Sequence, residues 1–176
     1  MAVLLTLEEF IQDKAELCVK FVNDVFLNNK KVCGVLSRME TAPGCDFYKL
    51  MIGIGVNLNT ESHHYQDVHI ATSVLMETGI HISIDEFSTS LLNNFIRLFE
   101  VLKSSEGFSG TIYHTLNERM YLKGKKVKIF DRNLINVTLE GTFHGLNPDG
   151  TVIIIDNQGV RHTINDGRMR EYDFKP

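Results

Sequence analysis

Three short stretches before residue 60 carry residue types suited to holding anions. The first, Lys20-Phe21-Val22-Asn23-Asp24, sets a cation, an amide and a carboxylate at the end of the apolar run Cys18 to Val22. The second, Lys31-Val32-Cys33-Gly34-Val35-Leu36, follows almost at once with another cation and a glycine. The third, Gly53-Ile54-Gly55-Val56-Asn57-Leu58-Asn59, ends an apolar run with two glycines and two amides. Glycine weakens a strand, so a glycine pair there marks a close approach of another backbone or of a ligand. A lysine beside such a surface neutralises a carboxylate or phosphate through charge-assisted hydrogen bonds. Each stretch also has a plain structural reading. Gly53-x-Gly55 lacks the third glycine of a dinucleotide fingerprint and no βαβ unit surrounds it. Asn23-Asp24 is an ordinary turn pair. Lys30 and Lys31 point to opposite faces of a strand, and alternation alone does not say which one faces a site.

Other chemistries are less well supported. His63, His64 and His69 lie in a polar stretch, but no cysteine or carboxylate completes a zinc pattern, so no metal site is expected. Ser73, Ser104, Ser105 and Ser109 have no nucleophile-elbow glycines around them. Cys18, Cys33 and Cys45 are an odd number without redox or metal spacing, which suits a reducing compartment.

The elements that must position these residues can be read from spacing. Thr6-x-x-Glu9 is a capping box ahead of Phe10, Ile11 and Leu17. Ser83-x-x-Glu86 is another, opening the longest helix. Phe87, Leu91, Phe95, Leu98 and Leu102 form its expected buried stripe, thickened by Leu92 and Phe99. Phe108, Ile112, Leu116 and Met120 predict a third helix. Residues 31–36 and 48–57 read as strands of a hairpin whose loop begins at Met39, with Asn28-Asn29 turning into the first. After Lys123-Gly124 only short strands follow, over 127–130, 137–143, 151–155 and 160–164. Asn147-Pro148-Asp149-Gly150 and Asp156-Asn157-Gln158-Gly159 are the turn signals between them, and such a run predicts a small β-barrel. The expected organisation is α+β, with one unit over 1–122 and a second over 123–176.

Composition bounds the partners. The chain has 176 residues, 43% hydrophobic and 23% charged, which is ordinary for a globular protein. The longest strictly aliphatic run after the N-terminus, Val152 to Ile155, is far too short to span a bilayer. A net charge of −4 gives no global field toward nucleic acid or acidic lipid. Lys123, Lys125, Lys126 and Lys128 are expected on a solvated strand edge. Met1 to Leu5 lacks a basic leader and meets Glu8 and Glu9, so no signal peptide is read and a cytoplasmic location is expected.

In this order and at these intervals, the three stretches resemble the biotin protein ligase family, the holocarboxylase synthetase-like enzymes. Members typically read Lys-Trp-Pro-Asn-Asp, Lys-hydrophobic-small-Gly-Ile-Leu and Gly-hydrophobic-Gly-hydrophobic-Asn. The likeness continues through Ala71-Thr72-Ser73-Val74-Leu75, the long helix and the final strands, from about Val19 onward. It implies a ligase-type mixed sheet with helices followed by a small SH3-like barrel. It also implies the family's reaction: biotin and ATP give biotinyl-5'-AMP, and biotin then passes to a lysine of a biotin carboxyl carrier domain. Biotin, ATP and Mg2+ are the implied ligands. The family's interval to Gly34 selects Lys31 for the biotin carboxylate and the adenylate phosphate. Gly34, Gly53 and Gly55 are implied for biotin, Asn23, Asn57 and Lys20 for the nucleotide, and Asp24 for catalysis beside Lys31.

Two departures qualify the likeness. Phe21-Val22 stands where the family has Trp-Pro, losing bulk and backbone stiffness. The family's Gly-Arg-Gly-Arg-type loop, carried in the first half of its catalytic domain, is not among these residues. The resemblance therefore implies the C-terminal part of a ligase, not active by itself, with an apolar face or open edge that favours an oligomer or the missing half. No helix-turn-helix precedes the ligase part, so DNA binding is not implied. A non-catalytic binding module and a lipoate-ligase relative are the alternatives. Gly34, Gly53-x-Gly55 and the terminal strands favour the biotin branch.

Overall fold

The structure is a computed structural model of the chain, describing residues 1–21, 23–41, 44, 48–61, 70–104, 107–131, 133–165 and 167–173. Its first part runs α1 (Ala2–Ile11), β1 (Leu17–Lys20), β2 (Asp24–Leu27), β3 (Lys30–Thr41), β4 (Tyr48–Val56), α2 (Val74–Thr78) and α3 (Ile84–Lys103). A 3-10 turn (Gly107–Ser109) and α4 (Thr111–Glu118) lead to β5 (Lys126–Phe130), β6 (Val137–Leu146), β7 (Val152–Asp156), β8 (Arg161–Ile164) and β9 (Arg168–Glu171). Among the described residues no helix is long and apolar enough to cross a membrane.

The fold is α+β. Strands β1-β2-β3-β4 form one antiparallel sheet in chain order, and β8-β7-β6-β5-β9 form a second. Asn28 and Asn29 both take positive φ (48° and 65°), which gives the tight turn from β2 into β3. Behind the first sheet, Leu4, Leu7 and Ile11 of α1 pack with Val25, Leu27, Val32, Val74, Ile82 and Phe87. Each such fully buried side chain stabilises by about 1.5–3 kcal/mol. The second sheet folds around Val127, Ile129, Phe143, Val152, Ile154 and Met169. Both expected turns close it, with Gly150 and Gly159 at positive φ and their N–H groups donating to Asn147 and Asp156. Two backbone bonds tie Val19 of β1 to Arg119 and Tyr121, in the segment that leads from α4 to β5.

Several local expectations need correction. Thr6 is not a cap: the apolar residues before it start α1 at Ala2, and the Thr6 hydroxyl donates back to the Ala2 carbonyl. Ser83 does cap α3, accepting from the Glu86 N–H at 3.4 Å. The stripe of α3 is only partly covered: Phe87 is buried, Leu91, Phe95 and Leu98 are half-buried, and Leu92, Phe99 and Leu102 are exposed. The third helix ends at Glu118, and Met120 instead bridges to β1. Strand β3 continues to Thr41, beyond the expected loop start at Met39. Lys126 and Lys128 lie on β5, which has neighbours on both sides, so they do not mark an edge. Strand β9 and the short α2 add to the expected elements. In the first sheet β4 is a terminal strand, and Leu50, Ile52 and Ile54 on it are exposed.

Candidate functional site

Cross-strand partners share one face of a sheet. Lys20 on β1 pairs with Asp24 on β2, Asp24 with Gly34 on β3, and Gly34 with Gly55 on β4. Four of the residues singled out in the sequence thus form one row across all four strands. Gly53, paired with Leu36, lies two residues along β4 on the same face. Lys31 joins this face through an irregularity: the β2–β3 register shifts between Val25 and Phe26. Its ammonium lies 2.6 Å from Asp24 Oδ1. At 40% and 26% exposure, this pair fixes the ammonium over the row more than it adds to stability.

The glycines differ in what the fold asks of them. A Cβ at Gly34 would sit 3.2 Å from both Cε and Nζ of Lys31, so glycine there lets the lysine lie across the sheet. At Gly53 and Gly55 a Cβ would meet only backbone oxygens at 3.9 and 4.0 Å, which is ordinary contact. Neither has positive φ, and both are exposed. The fold itself gives no reason for glycine at these two positions, and the space above them is open.

Charge around the row is locally positive. Burial, and then Arg170, lower the pKa of Lys20, with Asp24 opposing them. The Lys20 ammonium lies 4.8 Å from the Phe26 ring centre and 5.7 Å from that of Tyr121. Burial and Arg168 lower the pKa of Arg170 while Asp24 raises it, so this guanidinium lies within electrostatic range of the same carboxylate. The sequence reading missed Arg170. It stands in a four-residue strand whose only apolar member is Met169, and the spacing Arg168-x-Arg170 was the available signal. Lys31 in contact with Asp24, Lys20 opposite it across the strands and Arg170 within its electrostatic range make the row a setting for an anionic ligand.

The amides are partly committed to the fold. Asn23 is exposed, and its amide donates to the Val35 carbonyl while the Val35 N–H donates to its own carbonyl at 2.9 Å. Asn57 follows β4 and donates to the Thr72 carbonyl at 3.0 Å. Asn59 is fully engaged, exchanging two hydrogen bonds with the Ile82 backbone. The structure brings Lys20, Asp24, Lys31, Gly34, Gly53 and Gly55 together on one face, with Asn23 and Asn57 at strand ends beside it.

Cysteine and metal chemistry find little footing. Burial pushes the Cys18 and Cys33 thiols up to about 11, so both stay protonated and pack as apolar groups. Cys45, His63, His64 and His69 lie outside the described residues. Among the described residues no three metal-ligating side chains cluster.

No protein-family model matches the chain. In sequence it is 26% identical over 149 residues to the bifunctional ligase/repressor BirA of Bacillus subtilis, over 81% of this chain and 43% of that protein. The BirA of Bacillus spizizenii matches to the same extent. The chain thus spans 43% of the length of the curated relatives it matches. In fold it superposes on the apo biotin protein ligase of Aquifex aeolicus with a TM-score of 0.82, at 23% identity, over 97% of this chain and 71% of that one. The same enzyme solved with biotin and ATP gives 0.77, at 24% identity, over 96% and 66%. In sequence the chain is thus similar to BirA, and in fold to the biotin protein ligase of Aquifex aeolicus.

Proposed function

We propose, from this relationship, that the glycine-and-lysine face is the biotin and adenylate wall of a biotin–[carboxylase] ligase site. The observation that carries the reading is the cross-strand row Lys20, Asp24, Gly34 and Gly55, with Lys31 held over it and two glycines that the fold does not require. Biotin would lie on Gly34, Gly53 and Gly55, its carboxylate toward Lys31. In the first step that carboxylate attacks the α-phosphorus of ATP and pyrophosphate leaves, giving biotinyl-5'-AMP. Lys31 offsets the repulsion between two anions and stabilises the charge on the transferring phosphorus. Lys20, Asn23 and Asn57 would contact the nucleotide part, with Arg170 adding positive charge within electrostatic range of Asp24.

In the second step the amine of a lysine on a biotin carboxyl carrier domain attacks the acyl carbon, and AMP leaves. Asp24 would position Lys31 and receive the incoming lysine. Magnesium would arrive on the phosphates of ATP, because the described residues offer it no cluster of ligands and Asp24 is already paired with Lys31. No step is routed through it.

Gly53 and Gly55 are exposed, which favours a chain that supplies one wall and is completed by a second. An adenylate on an open wall meets water, and its phosphates lack part of their neutralising charge. The test is a biotinylation assay with ATP, biotin and a carrier domain, run with and without an added N-terminal ligase fragment. Turnover that appears with the fragment supports the reading. Absence of turnover and of biotinyl-adenylate binding in both arms sinks it. Binding of lipoyl-adenylate in preference to biotinyl-adenylate would assign the wall to the lipoate branch instead.

A further inference from the structure

The segment after the undescribed residues 62–69 threads between the start of β3 and the end of β4. The Lys31 N–H donates to the Ile70 carbonyl at 2.7 Å, and the Thr72 N–H donates to the Lys31 carbonyl at 2.9 Å. Asn57 grips the same residue from the other side, its amide donating to the Thr72 carbonyl. Thr72 is wholly buried, so its hydroxyl must find a partner inside the protein. That partner is Glu77 of α2, whose Oε1 accepts it at 2.7 Å. Glu77 Oε1 also pairs with the Lys30 ammonium at 3.0 Å, and Oε2 accepts from the Asn28 amide at 3.0 Å. Burial would raise the pKa of Glu77, but these three donors outweigh it and hold the carboxyl below its ordinary range.

From this geometry we infer that Thr72 and Glu77 are positioning residues of the site, holding the Lys31 backbone and the Asn57 side-chain amide in place and drawing Lys30 to the opposite side. The inference rests on the proposed role of Lys31. Two adjacent lysines at a strand start are interchangeable cations unless something separates them. Asp24 takes one and Glu77 the other. A slip of one residue in β3 would exchange their faces. The bonds through Thr72 oppose that slip.

The test uses the whole chain with Glu77→Ala, Glu77→Gln, Thr72→Val and, as a control, Thr78→Ala. Thr78 belongs to the same helix, where its hydroxyl bonds the Val74 carbonyl, and it touches none of these groups. Hydrogen exchange without ligand reads the first effect. The Lys31 and Thr72 amides should exchange at least about tenfold faster in Glu77→Ala and in Thr72→Val than in the wild type or Thr78→Ala. Calorimetry with biotinyl-adenylate reads the second. Affinity should fall about tenfold in Glu77→Ala and recover to within about threefold in Glu77→Gln, whose amide oxygen still accepts from Thr72. Thr78→Ala should keep its affinity even where its melting temperature falls as far as that of Glu77→Ala. Unchanged exchange at Lys31 and Thr72, or an equal loss of affinity in Thr78→Ala, would overturn the positioning role. Undiminished affinity in Lys31→Ala would instead overturn the functional reading, and the exchange arm would still decide the positioning.

Discussion

Replacing Gly55 by valine separates a ligand role for the glycines from a packing role. A Cβ at this position meets only the Gly34 carbonyl oxygen at 4.0 Å, and the backbone is not in the left-handed region. The fold therefore admits the side chain. Glycine inside a strand costs about 0.5–1 kcal/mol relative to alanine, and valine is a better strand residue still. For a chain of this size that corresponds to a melting temperature raised by up to about 4 °C. A ligand lying on the floor meets the opposite effect, because three added carbons fill the space it occupies. Overpacking of that kind costs about 1–3 kcal/mol, and at about 1.4 kcal/mol per tenfold the affinity should fall about five- to 150-fold. Calorimetry with biotinyl-adenylate and thermal melting read the two quantities independently. Unchanged affinity would refute the reasoning, since the open glycines would then serve no ligand. A collapse in stability would refute it from the other side, by showing a packing demand that the 4.0 Å contact does not contain.

Further outcomes follow from the same geometry. Lys31→Ala should weaken biotinyl-adenylate binding by about 1.5–3 kcal/mol and slow adenylate formation by on the order of a hundredfold, whereas Lys30→Ala, whose ammonium pairs with Glu77, should change little; equal losses would cancel the distinction. Glu77 has a pKa held below its ordinary value of 4.5, so its contribution is present above that pH and lost as pH falls through the lower folded value. The melting-temperature advantage of the wild type over Glu77→Gln should accordingly shrink below about pH 4.5, and an advantage that grows on acidification would contradict the sign. Asn94 is buried between α1 and α3, where its amide donates to Thr6 and Glu9 and its oxygen accepts from Arg97. Asn94→Ala should cost about 1–3 kcal/mol in denaturant unfolding without changing ligand affinity.

The candidate site was legible in the sequence where residue type departs from what an apolar strand selects. Lys31, Gly34, Gly53 and Gly55 stand out because lysine and glycine have no business in an apolar strand unless something else requires them. Their assembly into one row was not legible. It depends on the register that the Asn28-Asn29 turn sets, and on the shift at Val25/Phe26 that breaks simple alternation and carries Lys31 to the glycine face. Arg170 was hidden for a related reason: one apolar residue in a four-residue strand gives too little periodicity to announce an element. Glu77 looked like any helical carboxylate, because its partners Lys30 and Asn28 lie 47 and 49 residues away in sequence. In α1 the Thr6 box was overridden by burial, since Val3, Leu4 and Leu7 gain more in the core than a cap at Thr6 would supply. The long helix erred the other way, with a clear stripe that is buried at Phe87, half-buried at Leu91, Phe95 and Leu98, and exposed at Leu92, Phe99 and Leu102.

The central claim, that one sheet face takes biotinyl-adenylate, is tested most directly by titrating the isotope-labelled chain with that compound and following its amide resonances. The account predicts saturable shifts concentrated at Lys20, Asp24, Lys31, Gly34, Gly53 and Gly55, weakened in parallel by Lys31→Ala. Saturable shifts centred elsewhere, for instance on Glu118 to Lys126 or along α3, would contradict it, as would no saturable shift at all.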